Sequence, residues 1–118
     1  ELIAWLDTQA SGGAGKPVIC SETGAGAIPG WRHRHAERWT EEYQCEALAA
    51  LLDAYLPHPR INGVALWQFC DHRVTTGHWR GRPRNMNNKG IVDEHRQPKL
   101  AYDVVKQRLQ DAAAQPDG

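Results

Sequence analysis

The sequence predicts an α/β fold with a parallel sheet, and three observations lead to that prediction. Two short apolar runs, at 18–20 and 61–69, are bounded by glycine, proline or polar residues, as strands covered on both faces are. Amphipathic helical segments lie before, between and after them, at 1–9, 41–55 and 98–109. Because parallel strands need long crossover connections, this alternation favours parallel pairing.

The predicted elements are too few for a self-contained domain, although a small domain can be built from 118 residues. Two strands leave open sheet edges and too little apolar area to cover three helices. The chain also begins without methionine, at Glu1, inside a helical pattern that has no N-cap residue ahead of it. We therefore expect this sequence to be a piece of a larger fold.

Each helix has recognisable limits. The glycine-rich segment 11–15 ends the first helix. Thr40 is a typical N-cap for the second helix, and the acids in its first turn are interpreted as structural. Pro98 starts the last helix at its tolerated first position, and the tail at 111–118 is expected to be flexible. The expected inward face of the second helix carries six residues: Tyr43, Ala47, Leu48, Leu51, Leu52 and Tyr55.

Composition argues against several classes of partner. The formal net charge is zero and basic residues form no long run, so the sequence predicts neither nucleic-acid nor membrane binding. No apolar run approaches the roughly 20 residues that span a bilayer, no signal peptide is present, and a cytoplasmic location is expected. Cys20, Cys45 and Cys70 are scattered, which indicates reduced thiols packed as small hydrophobic groups rather than metal ligands.

Both predicted strands are followed by an acid. Glu22 follows the first strand and Asp71 the second, and in alternating α/β folds the chemistry lies at the carboxyl ends of the strands. These two carboxylates are therefore candidate site residues. The alternative is that an acid there only caps the next turn.

Three further segments contain candidate ligand-binding groups. His33 and His35 suit a metal or proton transfer, but a solvated loop pair is favoured because no further ligand lies at suitable spacing. Trp67 ends the second strand, where it either stacks on a sugar or fills the core. The long loop at 71–88 ends in a set of donors suited to a carboxylate or to several hydroxyls. They are Arg82, Arg84, Asn85, Asn87, Asn88 and Lys89.

Four blocks carry a resemblance to a known family: KPVICSETGAG, WTEEYQCEAL, GVALWQFCDHRVT and NMNNKGIVDEHRQPKLAY. In order and spacing they resemble the carboxy-terminal stretch of the catalytic barrel of glycoside hydrolase family 2, most of all its β-glucuronidases. The resemblance implies part of a (β/α)8 TIM barrel at 1–110, from the end of helix six through strand seven, helix seven, strand eight and helix eight. A whole barrel takes about 250 residues.

The resemblance also implies a mechanism. Glu22 matches the nucleophile of a retaining mechanism, which needs a second carboxylic acid about 5 to 5.5 Å away. No segment of this sequence resembles the one that carries that acid, so the isolated chain is expected to be inactive. Asp71 is given at most a role in orienting site residues.

The substrate implied is a carbohydrate, a β-glucuronide or a related glycoside, with no cofactor and a homo-oligomeric parent enzyme. Trp67 would line the sugar subsite. Asn87, Lys89 and Gly90 match an Asn-x-Lys-Gly motif that holds the carboxylate of the sugar. Arg82 or Arg84 would assist, and the loop length leaves open which.

Departures from the family pattern leave the sugar open. Ser21, Glu22, Thr23 and Gly24 stand where Thr-Glu-Tyr-Gly is usual. One alternative is therefore a β-galactosidase-like or β-galacturonidase-like enzyme. An alternative of another class is a non-catalytic barrel fragment or partner-binding module, which exposed strand edges would suit.

Overall fold

The computed structural model describes residues 2–75 and 81–114. Its elements, in chain order, are α1 (Leu2–Leu6), β1 (Val18–Thr23), α2 (Glu41–Tyr55), β2 (Ile61–Leu66), β3 (His72–Arg73), β4 (Met86–Asn87) and α3 (Leu100–Ala114). β1 and β2 pair in parallel, as predicted, with Val18 opposite Ile61 and Thr23 opposite Leu66. β3 and β4, which the sequence did not predict, form a short antiparallel pair.

The core lies between α2 and α3. Its buried residues are Leu48, Leu52, Ala101 and Val105, with partly buried groups from α2, Leu56, β2 and Ile91 around them. Leu48 and Leu52 confirm the predicted inward face of α2, whereas Tyr43 is 37% exposed. Thr40 caps α2 as predicted, because its hydroxyl oxygen accepts a hydrogen bond from Tyr43 N at 3.1 Å.

The strands differ from their predicted form in burial and in length. Ile19 is 68% exposed, so the prediction that β1 is covered on both faces is wrong for the described chain. β2 ends at Leu66 and not at Phe69. The chain beyond it pairs with another segment, in which Gln68 N donates to Lys89 O and Ile91 N donates to Gln68 O, each at 3.1 Å.

Three helix limits also differ from prediction. The last helix begins at Leu100 and not at Pro98, which forms an isolated bridge with Val92. α1 stops at Leu6, where the hydroxyl groups of Thr8 and Ser11 donate to the last carbonyls, at 2.7 Å to Trp5 O and 2.9 Å to Leu6 O. α3 continues past Leu109 to Ala114, because alanine is the strongest helix former. The predicted helix start at Glu1, residues 115–118 of the predicted tail at 111–118 and residues 76–80 of the long loop lie outside the described residues, whereas 111–114 belong to α3. No helix in the described ranges is long and apolar enough to cross a bilayer.

Candidate active site

A cleft of about 590 Å³ opens at the carboxyl ends of β1 and β2. The two strand ends are joined there, since Trp67 N donates to Thr23 O at 2.7 Å. Parallel pairing brings Glu22 and Trp67 to the same edge of the sheet. The cleft is lined by Glu22, Trp67, His72, Arg73, Val74, Thr75, Arg82, Asn87 and Lys89. The sequence reasoning did not single out four of these, the stretch 72–75, although they end the third matching block.

Glu22 and Trp67 are accessible to a ligand in the cleft. The Glu22 side chain is exposed, and among the described residues that line the cleft it is the only carboxylate. Trp67 is 43% exposed, so the described part of the chain does not bury it in a core. An aromatic face beside a carboxylate suits the apolar C–H face of a sugar.

Asn87 and Lys89, which come later in the chain, supply hydrogen-bond donors to the same cleft. Asn87 is buried, and its Oδ1 accepts from Lys89 N at 3.2 Å. The Asn87 Nδ2 group makes no hydrogen bond to the described residues. An amide NH2 and an ammonium in one cleft both donate to a carboxylate.

The other two asparagines of the predicted donor set, Asn88 and Asn85, do not line this cleft. Asn88 is buried, and its Nδ2 donates to Pro83 O at 2.9 Å and to Met86 O at 3.2 Å. It lines a neighbouring cleft of about 440 Å³ that shares Arg82, Asn87 and Lys89 with the first. Asn85 has a φ of 53° in the turn that leads to β4. It is exposed and lines neither cleft.

The structure separates the two candidate arginines. Arg82 lines both clefts. Arg84 lines neither; it pairs with Glu94 and lies 3.9 Å from Asp71 Oδ2. Of the two, only Arg82 is in a position to contact a ligand in the cleft.

Asp71 does not line the cleft, in contrast to the prediction that it is a site carboxylate. Its carboxylate is fully buried, and Oδ1 accepts from Gly90 N at 2.8 Å and from Lys99 Nζ at 2.9 Å. Glycine is required at position 90 by this close approach, because a Cβ there would lie 2.3 Å from Asp71 N. Asp71 therefore contacts the loop that carries Lys89, and not the cleft.

Lys99 is a buried lysine that the sequence reasoning did not single out. Besides Asp71, it donates to Ala27 O at 2.7 Å and to Asn88 O at 3.1 Å, so all three of its protons are bound. Burial lowers the pKa of Lys99 and raises the pKa of Asp71, while their mutual hydrogen bond opposes both changes. The only sequence signal was its place in the fourth matching block.

His33 and His35 lie together in a loop, which is the interpretation that the sequence analysis favoured over a metal site. His33 Nδ1 lies 3.6 Å from Glu37 Oε1 and accepts weakly from His35 N at 3.4 Å, in a loop outside both clefts. Within 2–75 and 81–114, no three His, Cys, Asp or Glu side chains are grouped to hold a metal ion. Cys20, Cys45 and Cys70 are all free.

Comparison with known proteins gives a family match over almost the whole chain. Residues 2–114 match the model described as glycosyl hydrolases family 2, TIM barrel domain. A β-glucuronidase of Paenibacillus borealis is 34% identical over 103 residues, which cover 87% of this chain and 17% of that protein. A β-glucuronidase of Streptococcus agalactiae is 30% identical over 108 residues, 92% of this chain and 17% of that protein.

Solved structures agree with this match. A β-galacturonidase of this family from Eisenbergiella tayi, bound to galacturonate, superposes with a TM-score of 0.87 at 49% identity, over 93% of this chain and 20% of that one. A Bifidobacterium dentium β-glucuronidase complexed with coumarin-3-O-glucuronide has a TM-score of 0.76 at 34% identity, over 98% of this chain and 17% of that one. The chain thus spans about a fifth of the length of such relatives.

Proposed function

Since this chain belongs to glycosyl hydrolase family 2 and is part of its TIM barrel domain, we propose that it is the nucleophile-bearing part of a retaining glycosidase. The substrate proposed is a sugar that ends in a β-linked uronic acid. One observation carries the proposal: an accessible carboxylate, an indole and a set of carboxylate-binding donors line one cleft at the strand ends. The complete enzyme that would contain this chain is called the parent enzyme below.

Glu22 is the proposed nucleophile. Its carboxylate attacks the anomeric carbon and forms a covalent glycosyl-enzyme, which water then hydrolyses. The carboxylic acid that protonates the leaving oxygen is proposed to come from a part of the barrel outside this chain. For that reason we expect the isolated chain to be inactive. No cofactor is needed for this double displacement.

Asn87 and Lys89 are the proposed ligands of the substrate carboxylate, with Arg82 beside them. An ammonium pairs with a carboxylate far better than with the hydroxymethyl group of a neutral hexose. Trp67 would provide the face on which the sugar ring lies. In these roles the four residues recognise the uronic acid of the substrate and not its aglycone.

Two uronides are candidates, and they differ only in the orientation of the hydroxyl at C4. The curated relatives favour a β-glucuronide. The higher identity to the Eisenbergiella tayi protein, 49% against 34% for the Bifidobacterium dentium protein, favours a β-galacturonide. Both sugars carry the same carboxylate, so the proposed clamp serves either.

The test measures hydrolysis of chromogenic β-glucuronide, β-galacturonide and β-galactoside by the parent enzyme. Glu22→Gln is expected to abolish turnover, while Glu46→Gln, an exposed carboxylate on α2, leaves it unchanged. Lys89→Met is expected to lower kcat/KM for uronides by about 10- to 100-fold, and Lys106→Met is its matched control. Uronide hydrolysis that persists in Glu22→Gln would exclude this nucleophile.

A further inference from the structure

The main chain around Lys89 is fixed at each of its polar groups. Lys89 N donates to Asn87 Oδ1 at 3.2 Å, and Lys89 O accepts from Gln68 N at 3.1 Å. Loops usually leave many such groups to water. At Lys89 both main-chain polar groups are hydrogen-bonded within the protein instead, as they are in a β-sheet.

Two buried side chains hold the residues on either side of Lys89. Before it, Asn88 O accepts from Lys99 Nζ at 3.1 Å. After it, Gly90 O accepts from Gln44 Nε2 at 3.0 Å. Both partners of Gln44 Nε2, Gly90 O and Ala25 O, are carbonyl acceptors, so the orientation of this amide is well defined.

Neither side chain lines the cleft. Gln44 is 0% exposed and Lys99 is 3% exposed, so neither has a surface from which to touch a ligand. An effect of Gln44 on a ligand must therefore pass through the main chain that it holds, whereas Lys99 also carries a charge that acts at a distance.

Both side chains are costly to bury. Gln44 Oε1 has no hydrogen-bond partner in the part of the chain that the structure describes. Lys99 brings an ammonium group into the interior, where an apolar residue would pack without a desolvation penalty. Stability of the core alone does not account for either choice.

We propose that Lys99 and Gln44 are positioning residues that fix the backbone on both sides of Lys89 and thereby set selectivity for sugars that carry a carboxylate. The inference rests on the proposed function, in which Lys89 binds that carboxylate. A lysine side chain is long and flexible, so its ammonium is placed well only if its backbone is. A displacement of about 1 Å at such a group can cost up to about 100-fold in rate.

The experiment is a double-mutant cycle in the parent enzyme between Gln44→Met and Lys89→Met, with kcat and KM measured on a chromogenic uronide. Gln44→Met keeps the length of the side chain and removes both hydrogen bonds. We expect it to lower uronide kcat/KM by about tenfold, mainly through KM, and by less than about twofold in the Lys89→Met background. Lys99→Met is measured in the same cycle, and thermal unfolding shows whether each variant folds.

The outcomes separate the two proposals. An unchanged uronide kcat/KM in Lys89→Met would contradict the proposed function itself. If Lys89→Met is impaired but Gln44→Met and Lys99→Met are not, the positioning role is wrong. Equal losses in both backgrounds would overturn it too, because they would show an effect on the whole fold. If Lys99→Met does not fold, Gln44→Met decides alone.

Discussion

A Cβ on Gly24 would lie 2.2 Å from the carbonyl oxygen of Trp67, so the backbones of these two residues are in direct contact. The contact lies next to the hydrogen bond from Trp67 N to Thr23 O, at 2.7 Å. It joins the loop after β1 to the loop after β2, directly beside Glu22. The relative placement of the proposed nucleophile and the indole therefore depends on glycine at position 24.

We predict that Gly24→Ala destabilises the fold by about 2 kcal/mol or more, because a backbone oxygen cannot move aside as a side chain can. Gly81→Ala is the matched control, since a Cβ at Gly81 meets no atom of the described residues within 4 Å. Chemical denaturation of both variants measures the difference. Equal stability of the two variants would contradict the close approach.

Lys99→Met is predicted to destabilise the fold by about 3–5 kcal/mol, because the buried Asp71 carboxylate then loses its hydrogen-bonded ammonium and keeps only the more distant Arg84, at 3.9 Å. Combining it with Asp71→Asn should recover much of the loss. The asparagine removes the charge and still accepts from Gly90 N. Denaturation of the single and double variants tests this, and a double variant no more stable than the single one would disprove it.

The sequence predicted the main features of this fold because they depend on local patterns. The alternation of apolar runs and amphipathic segments was sufficient for the parallel pairing of β1 and β2, and Thr40 was recognisable as an N-cap. The exposure of Ile19 was not predictable in this way. The pattern shows that a strand is apolar, but not whether the elements that cover it lie in the same chain.

Only part of the candidate site could be predicted from the sequence, because only some of its residues belong to recognisable motifs. Glu22, Trp67, Asn87 and Lys89 line one cleft, and matching motifs had identified them. Lys99 and Gln44 were missed because, apart from Asp71, their partners are backbone carbonyls distant in the sequence. A backbone carbonyl has no sequence identity, so no motif records such a contact.

Glu42 provides a prediction on pH. The hydrogen bond from Arg32, together with that from His33 N at 3.0 Å, lowers the pKa of Glu42 from its ordinary 4.5 to about 2. A lowered pKa means that the stabilisation is present above about pH 4.5 and is lost as the pH falls toward 2. Arg32→Gln should raise the pKa of Glu42 toward its ordinary value. A carboxyl titration followed by NMR measures it, with Arg34→Gln as the control, and an unchanged midpoint would exclude the pair as the main cause.

Trp67 and Lys89 are predicted to differ in their effects on neutral glycosides, because only Trp67 is proposed to contact the ring face of the sugar. If the indole stacks on the pyranose ring, Trp67→Ala should lower kcat/KM by about tenfold for a uronide and for the neutral glycoside of the same ring configuration alike, since the two present the same C–H face. Lys89→Met should affect uronides alone. Phe69→Ala is the control, because Phe69 is a neighbouring aromatic that is 55% exposed and lies outside both clefts. Losses confined to uronides in Trp67→Ala would instead mean that the indole acts through the carboxylate clamp.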